Sequence, residues 1–66
     1  MDFIEKARVR LENWITHNEH HREEYEMFAE QLDAAGKNEG SEHVRQMIES
    51  MEKGNEFLRK ALKNLE

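Results

Sequence analysis

The 66-residue sequence contains no cysteine and no proline, and it has only three glycines. Without cysteine the fold cannot depend on disulfide bonds, which fits a cytoplasmic location. Without proline nothing interrupts long helices, and the abundant Glu, Lys, Arg, Leu, Met and Ala favour them. A core of this size supplies only about 3–5 kcal/mol, so metal binding, self-association or very close helix packing must add to it.

Long apolar runs and basic clusters are also missing. No run is long enough for a membrane span or a secretory signal, so neither is expected. The net charge is −5, and the whole excess lies in residues 16–35, where six acids face Arg22 alone. Because phosphate contacts need clustered Lys and Arg, nucleic-acid binding is not expected, whereas a cationic ligand or partner suits this segment. Nothing in the sequence pairs a nucleophile with a base or forms a phosphate loop, so the chain is not predicted to be an enzyme.

A seven-residue repeat runs through both halves of the chain. In the first half, its two rows are Ile4, Leu11, Asn18, Tyr25 and Leu32, and Ala7, Trp14, His21, Phe28 and Ala35. In the second half, one row is Val44, Met51, Leu58 and Leu65, and the other is Met47/Ile48, Gly54/Asn55 and Ala61/Leu62. The pattern predicts a single all-α domain with a helix over residues 3–35, a loop over 36–40 and a helix over 41–65.

A short loop makes consecutive helices antiparallel neighbours, so the predicted fold is a helical hairpin with heptad packing. Its predicted core consists of Ile4, Leu11, Trp14, Tyr25, Phe28, Leu32, Val44, Ile48, Met51, Leu58 and Leu62. In this register His21 and Asn18 lie level with Gly54 and Asn55, and Gly54 is expected to leave space beside His21 or Trp14.

The assembly has two interpretations. The first helix is longer than the second, and the apolar stripe of the second is wider than a lone hairpin needs, so a homodimeric four-helix bundle is predicted. Contact with another protein is a further possibility for the same surface. Alternatively, Thr16-x-x-Glu19 has the pattern of a capping box, and a break at Thr16 gives a monomeric three-helix bundle.

Three of the four histidines fall within residues 17–21. His17, His21 and Glu24 follow the helical spacing i, i+4 and i+7 and project from one side, with His20 at its edge. Imidazole and carboxylate ligands together suit a divalent transition metal such as nickel or zinc, and Asn18 or Asn55 can orient a ligand imidazole. The competing hypothesis has no metal: Asn18, His21 and Asn55 form a hydrogen-bonded layer that fixes helix pairing in a protein-interaction module.

The run Asn13-Trp14-Ile15-Thr16-His17-Asn18-Glu19-His20-His21 resembles a family of small uncharacterised helical domains. Their pattern is approximately His-Trp-x-x-His-Asn-x-x-His, followed by an aromatic residue, here Tyr25, a short loop and a second helix with an asparagine, here Asn55. Since such domains occur near nickel-binding accessory proteins, the resemblance implies nickel or another transition metal. Asn13 stands where the pattern has its first histidine, so a site of three successive i,i+4 ligands is incomplete.

Overall fold

The computed structural model describes residues 2–66 and consists of two antiparallel helices, α1 (Phe3–Ala34) and α2 (Asn38–Lys63). The hairpin is elongated, with principal extents of 51 × 16 × 11 Å. Helix α1 begins at an N-cap, because the Asp2 carboxylate accepts a hydrogen bond of 2.8 Å from the Glu5 N–H. Neither helix carries a stretch long and apolar enough to cross a lipid bilayer within residues 2–66.

Helix α1 is continuous through Thr16, so the predicted alternative of a break there is wrong. The helix ends where Gly36 adopts the left-handed conformation, with φ of 79°. The Lys37 N–H then donates to the Leu32 carbonyl at 2.8 Å and closes the last turn in the manner of a Schellman motif. The loop is shorter than predicted, because α2 begins at Asn38 rather than at residue 41.

We call the line of contact between the two helices the seam. The row of α1 residues buried in the seam lies one position after the predicted row. Ile15 and Ala29 are buried in the seam, whereas Trp14 and Phe28 are each 50% exposed. Ile4 is also exposed, because it lies near the end of α1 that projects beyond α2. The other predicted core residues are buried or half-buried: Leu11, Tyr25, Leu32, Val44, Ile48, Met51, Leu58 and Leu62.

A polar clasp holds the helices together beside the loop. Ser41 is only 2% exposed, and its hydroxyl donates to the Asp33 carboxylate. Arg45 donates to the Ser41 hydroxyl at 2.9 Å and pairs with Asp33 at 2.8 Å. The hydrogen bond from Ser41, the hydrogen bond from Arg45 and the charge of Arg45 together hold the pKa of Asp33 below its usual value of 3.8, although desolvation opposes them.

Candidate interface and histidine pair

A polar layer crosses the seam near the middle of the hairpin. Asn18 Nδ2 donates to Asn55 Oδ1 at 2.8 Å, and Asn55 Nδ2 donates to the Ile15 carbonyl at 3.2 Å. Asn55 is 5% exposed, so both of its amide atoms are removed from water and both are paired. The structure therefore contains the predicted contact between Asn18 and Asn55, while His21 lies outside it.

His17 and His21 form a close pair on the surface of α1. Their Nε2 atoms lie 2.8 Å apart, and the two rings meet edge to face with centroids at 4.3 Å. The His21 ring also stacks on Tyr25, with centroids at 5.9 Å and 16° between the planes. The 2.8 Å distance is that of a hydrogen bond from the N–H of one imidazole to the nitrogen of the other. Two imidazole nitrogens bound to one metal ion at about 2.0–2.1 Å each also lie about 3 Å apart, so the spacing of the pair matches that of two ligands of one ion.

The other two predicted ligands do not join the pair. Glu24 Oε2 lies 3.6 Å from His21 Nδ1, the ring nitrogen that does not face His17. A carboxylate on this side orients a ligand histidine when it hydrogen-bonds to Nδ1, and Glu24 lies just beyond hydrogen-bond distance of that atom. His20 is exposed, and the two converging nitrogens belong to its neighbours. Residues 2–66 contain no group of three His, Asp or Glu side chains arranged to hold a metal ion.

One side of the hairpin is charged, and ion pairs bridge the two helices along it. Arg59 pairs with Glu19, Arg22 with Glu52, and Arg45 with Asp33. The α1 acids of this side recur every seven residues as Glu5, Glu12, Glu19, Glu26 and Asp33. All three pairs are substantially exposed, so each adds little to stability, but all three form only in one alignment of the helices.

The opposite side of the hairpin is apolar, and we call it the apolar face. The seven-residue period places these residues on it: Ala7, Trp14, His21 and Phe28 of α1, and Met47, Gly54 and Ala61 of α2. Trp14, Phe28 and Met47 are each at least 41% exposed there. At the N-terminal end of α1 the face continues into an open, mainly apolar cleft lined by Phe3, Ala7, Leu11 and Trp14 together with Lys6 and Arg10.

Gly54 does not make the contact predicted for it. A Cβ atom added to Gly54 meets no other atom within 4 Å, so neither His21 nor Trp14 requires the glycine within a single chain. Gly54 is instead an exposed gap in the apolar face. The space beside Gly54 is therefore open to solvent, on the outside of the hairpin.

The sequence did not predict the seam positions of Ile15 and Ala29 or the clasp at Ser41. The row that contains Ile15 and Ala29 also contains Arg8 and Arg22, which made it look like a surface row. A signal was present in the neighbouring row of acids, because an uninterrupted acidic row marks the solvated edge of a seam. The position of the acidic row therefore indicates that the buried row contains Ile15, one position after Trp14.

Among known protein families, the one described as "Domain of unknown function (DUF8180)" matches residues 7–65. The chain belongs to this family. The match covers α1 from Ala7 onward, the loop and all of α2, so most of the hairpin corresponds to the family's domain. The comparisons with curated proteins and with solved structures found no match.

Proposed function

We propose that this chain is a non-catalytic, self-associating helical module of the cytoplasm, in which a second copy covers the apolar face. The observation that carries the proposal is the exposure of Trp14, Phe28 and Met47 on one side of a hairpin whose other side is charged. In a lone hairpin these aromatic side chains stay exposed to water. In a four-helix assembly they pack against the second copy and form part of the core between the two hairpins.

The exposed area of the hairpin supports this proposal. The chain exposes 5270 Å², whereas a compact monomer of 7.9 kDa exposes about 4,400 Å². Its radius of gyration is 15.4 Å, against about 11 Å for a compact chain of this length. The excess of roughly 850 Å² is close to the 800 Å² that each partner buries in a standard interface. One further copy of the hairpin is enough to cover it.

The polar layer gives this module its pairing register. An amide pair at Asn18 and Asn55 is satisfied only when the two side chains meet, so sliding α2 along α1 leaves a buried amide without a partner. Such layers favour one alignment of helices over others at some cost in stability. This role retains the predicted interaction module, with His21 removed from the layer.

Trp14 tests self-association because it is the only tryptophan and lies on the apolar face. We expect acrylamide to quench its fluorescence weakly in the native protein and several times more strongly in the variant Phe28→Glu, which places a charge in the interface. A Met27→Glu variant serves as the matched control, since Met27 is exposed on the outer side of α1. Equal, strong quenching in all three proteins would contradict the proposal.

A second function, the binding of a divalent transition metal such as nickel or zinc, is favoured by the 2.8 Å approach of His17 Nε2 and His21 Nε2. Neutral imidazoles are good ligands for these ions. We expect a saturable calorimetric signal on titration with Ni²⁺ or Zn²⁺ and its loss in His21→Ala. A titration without saturation would contradict this function and leave self-association standing.

A further inference from the structure

We propose that two copies of the chain bind one divalent transition-metal ion between them, with His17 and His21 of each copy as its four ligands. The inference rests on the proposed self-association. It answers the shortage of ligands in the single chain, where two imidazole nitrogens converge and no third ligand joins them. Four nitrogens complete a tetrahedral site of the kind that zinc and cobalt prefer.

The unequal helix lengths select the way in which the copies pair. Helix α1 has 32 residues and α2 has 26. Since both helices meet at the loop, the excess lies at the N-terminal end of α1, where Phe3 is 76% exposed and Ile4 is 45% exposed. A partner that lays its α2 on α1 leaves this end bare. A partner that lays its α1 antiparallel on α1 covers it.

The two-fold axis of such a pairing passes beside the histidines. The midpoint of α1 (Phe3–Ala34) falls between Asn18 and Glu19, and therefore between His17 and His21. Full overlap of two antiparallel α1 helices puts the axis at this level. In a two-fold interface, a residue a given distance before the axis meets the partner's residue the same distance after it. The two histidine pairs then lie within about one helical turn of each other.

Charge and side-chain volume agree with an axis close to His17. The flanking row of α1 contains Arg10, His17 and Glu24 at seven-residue intervals. An antiparallel copy centred at His17 sets Arg10 opposite Glu24 of the partner subunit, so that opposite charges meet on both sides of the axis. In the next row, Phe28 comes opposite Ala7 of the partner subunit, which matches a large side chain to a small one.

The α2 helices of the two copies also pair well about this two-fold axis. The level of His17 on α1 corresponds to residues near Phe57 on α2, because Asn18 faces Asn55 and Glu19 pairs with Arg59. A two-fold there sets Gly54 opposite Ala61 of the partner subunit, so two small residues meet. It also brings Phe57, which is 68% exposed, next to its own copy. The gap at Gly54, unused within one chain, is thereby filled by the partner.

The first measurement is the binding stoichiometry of metal-free protein. We expect Zn²⁺ to bind at one ion per two chains by calorimetry, and Co²⁺ to give the intense visible absorption of a tetrahedral site at the same ratio. His17→Ala and His21→Ala should each lower the affinity by more than about 100-fold, because each removes two of four ligands from the dimer. His20→Ala is the matched control and should bind as the native protein does. A ratio of one ion per chain, or equal loss in His20→Ala, overturns the proposal.

The mass of the protein in the presence of a chelator separates this inference from the proposed function. A dimer that binds no Zn²⁺ or Co²⁺ overturns the shared site and leaves self-association intact. A monomer in the chelator overturns the proposed function, and a protein that also stays monomeric with saturating Zn²⁺ overturns the shared site as well. Because His17 and His21 lie on the surface of a continuous helix, their alanine variants should keep the native helical circular dichroism, so lost binding reports on the site.

Discussion

Replacing Asn55 by alanine should destabilise the hairpin more than any other single loss of a side-chain amide in the chain. The change removes two hydrogen bonds, one from Asn18 Nδ2 at 2.8 Å and one to the Ile15 carbonyl at 3.2 Å. Losing the bond to Ile15 costs a net of about 1 kcal/mol, and leaving the part-buried amide of Asn18 without its partner costs about 1–3 kcal/mol. The expected loss is about 2–4 kcal/mol, reduced by up to about 0.7 kcal/mol because alanine is the better helix former.

A double-mutant cycle isolates the interaction from helix propensity. Asn18→Ala, Asn55→Ala and the double variant are compared by urea unfolding at one protein concentration, since self-association adds to the apparent stability. The gain in propensity cancels in the cycle, and we expect a coupling energy of about 1 kcal/mol or more. Ser50→Ala, at an exposed position of α2, should change stability by less than about 0.5 kcal/mol. Additive effects of the two asparagine variants would refute the polar layer as a pairing determinant.

Two further predictions concern the apolar face and the clasp. Phe28→Glu should raise the dissociation constant of the dimer at least about a thousandfold, because covering the exposed half of each Phe28, roughly 100 Å², contributes about 2.5 kcal/mol per chain. Met27→Glu should leave it unchanged, and both are measured by sedimentation. Asp33 has a pKa lowered by Ser41 and Arg45, so its contribution to stability is complete above pH 3.8 and is lost as the pH falls through its lower folded value. Asp33→Asn should therefore be less stable than the native protein at neutral pH but equal to it in strong acid, and a constant difference across the range would contradict this assignment.

The hairpin itself was predictable from the sequence because its signals are local. The Asp2 cap, the left-handed Gly36 and the seven-residue period each depend on residues close together in the chain. The level of Asn18 opposite Asn55 was also predictable, since the short loop fixes how residues of the two helices pair. The seam row was not, because Trp14 and Ile15 are both apolar neighbours and periodicity alone does not say which faces α2.

The contacts among the site residues were not predictable from the sequence, for a related reason. The spacing of His17, His21 and Glu24 is right for one helical side, and the structure keeps them there. Spacing does not show which ring edge a neighbour meets, and Glu24 meets Nδ1 of His21 rather than the converging Nε2 atoms. The spacing also does not show whether Trp14 and Phe28 pack into the seam with α2 or lie exposed on the apolar face, since both arrangements have the same period.

Sedimentation equilibrium of the native protein with a chelator present shows whether a second copy covers the apolar face. We expect a species of twice the 7.9 kDa chain mass at micromolar concentration. Phe28→Glu should shift that mass toward one chain while Met27→Glu does not. A single species of 7.9 kDa up to millimolar concentration would contradict the claim.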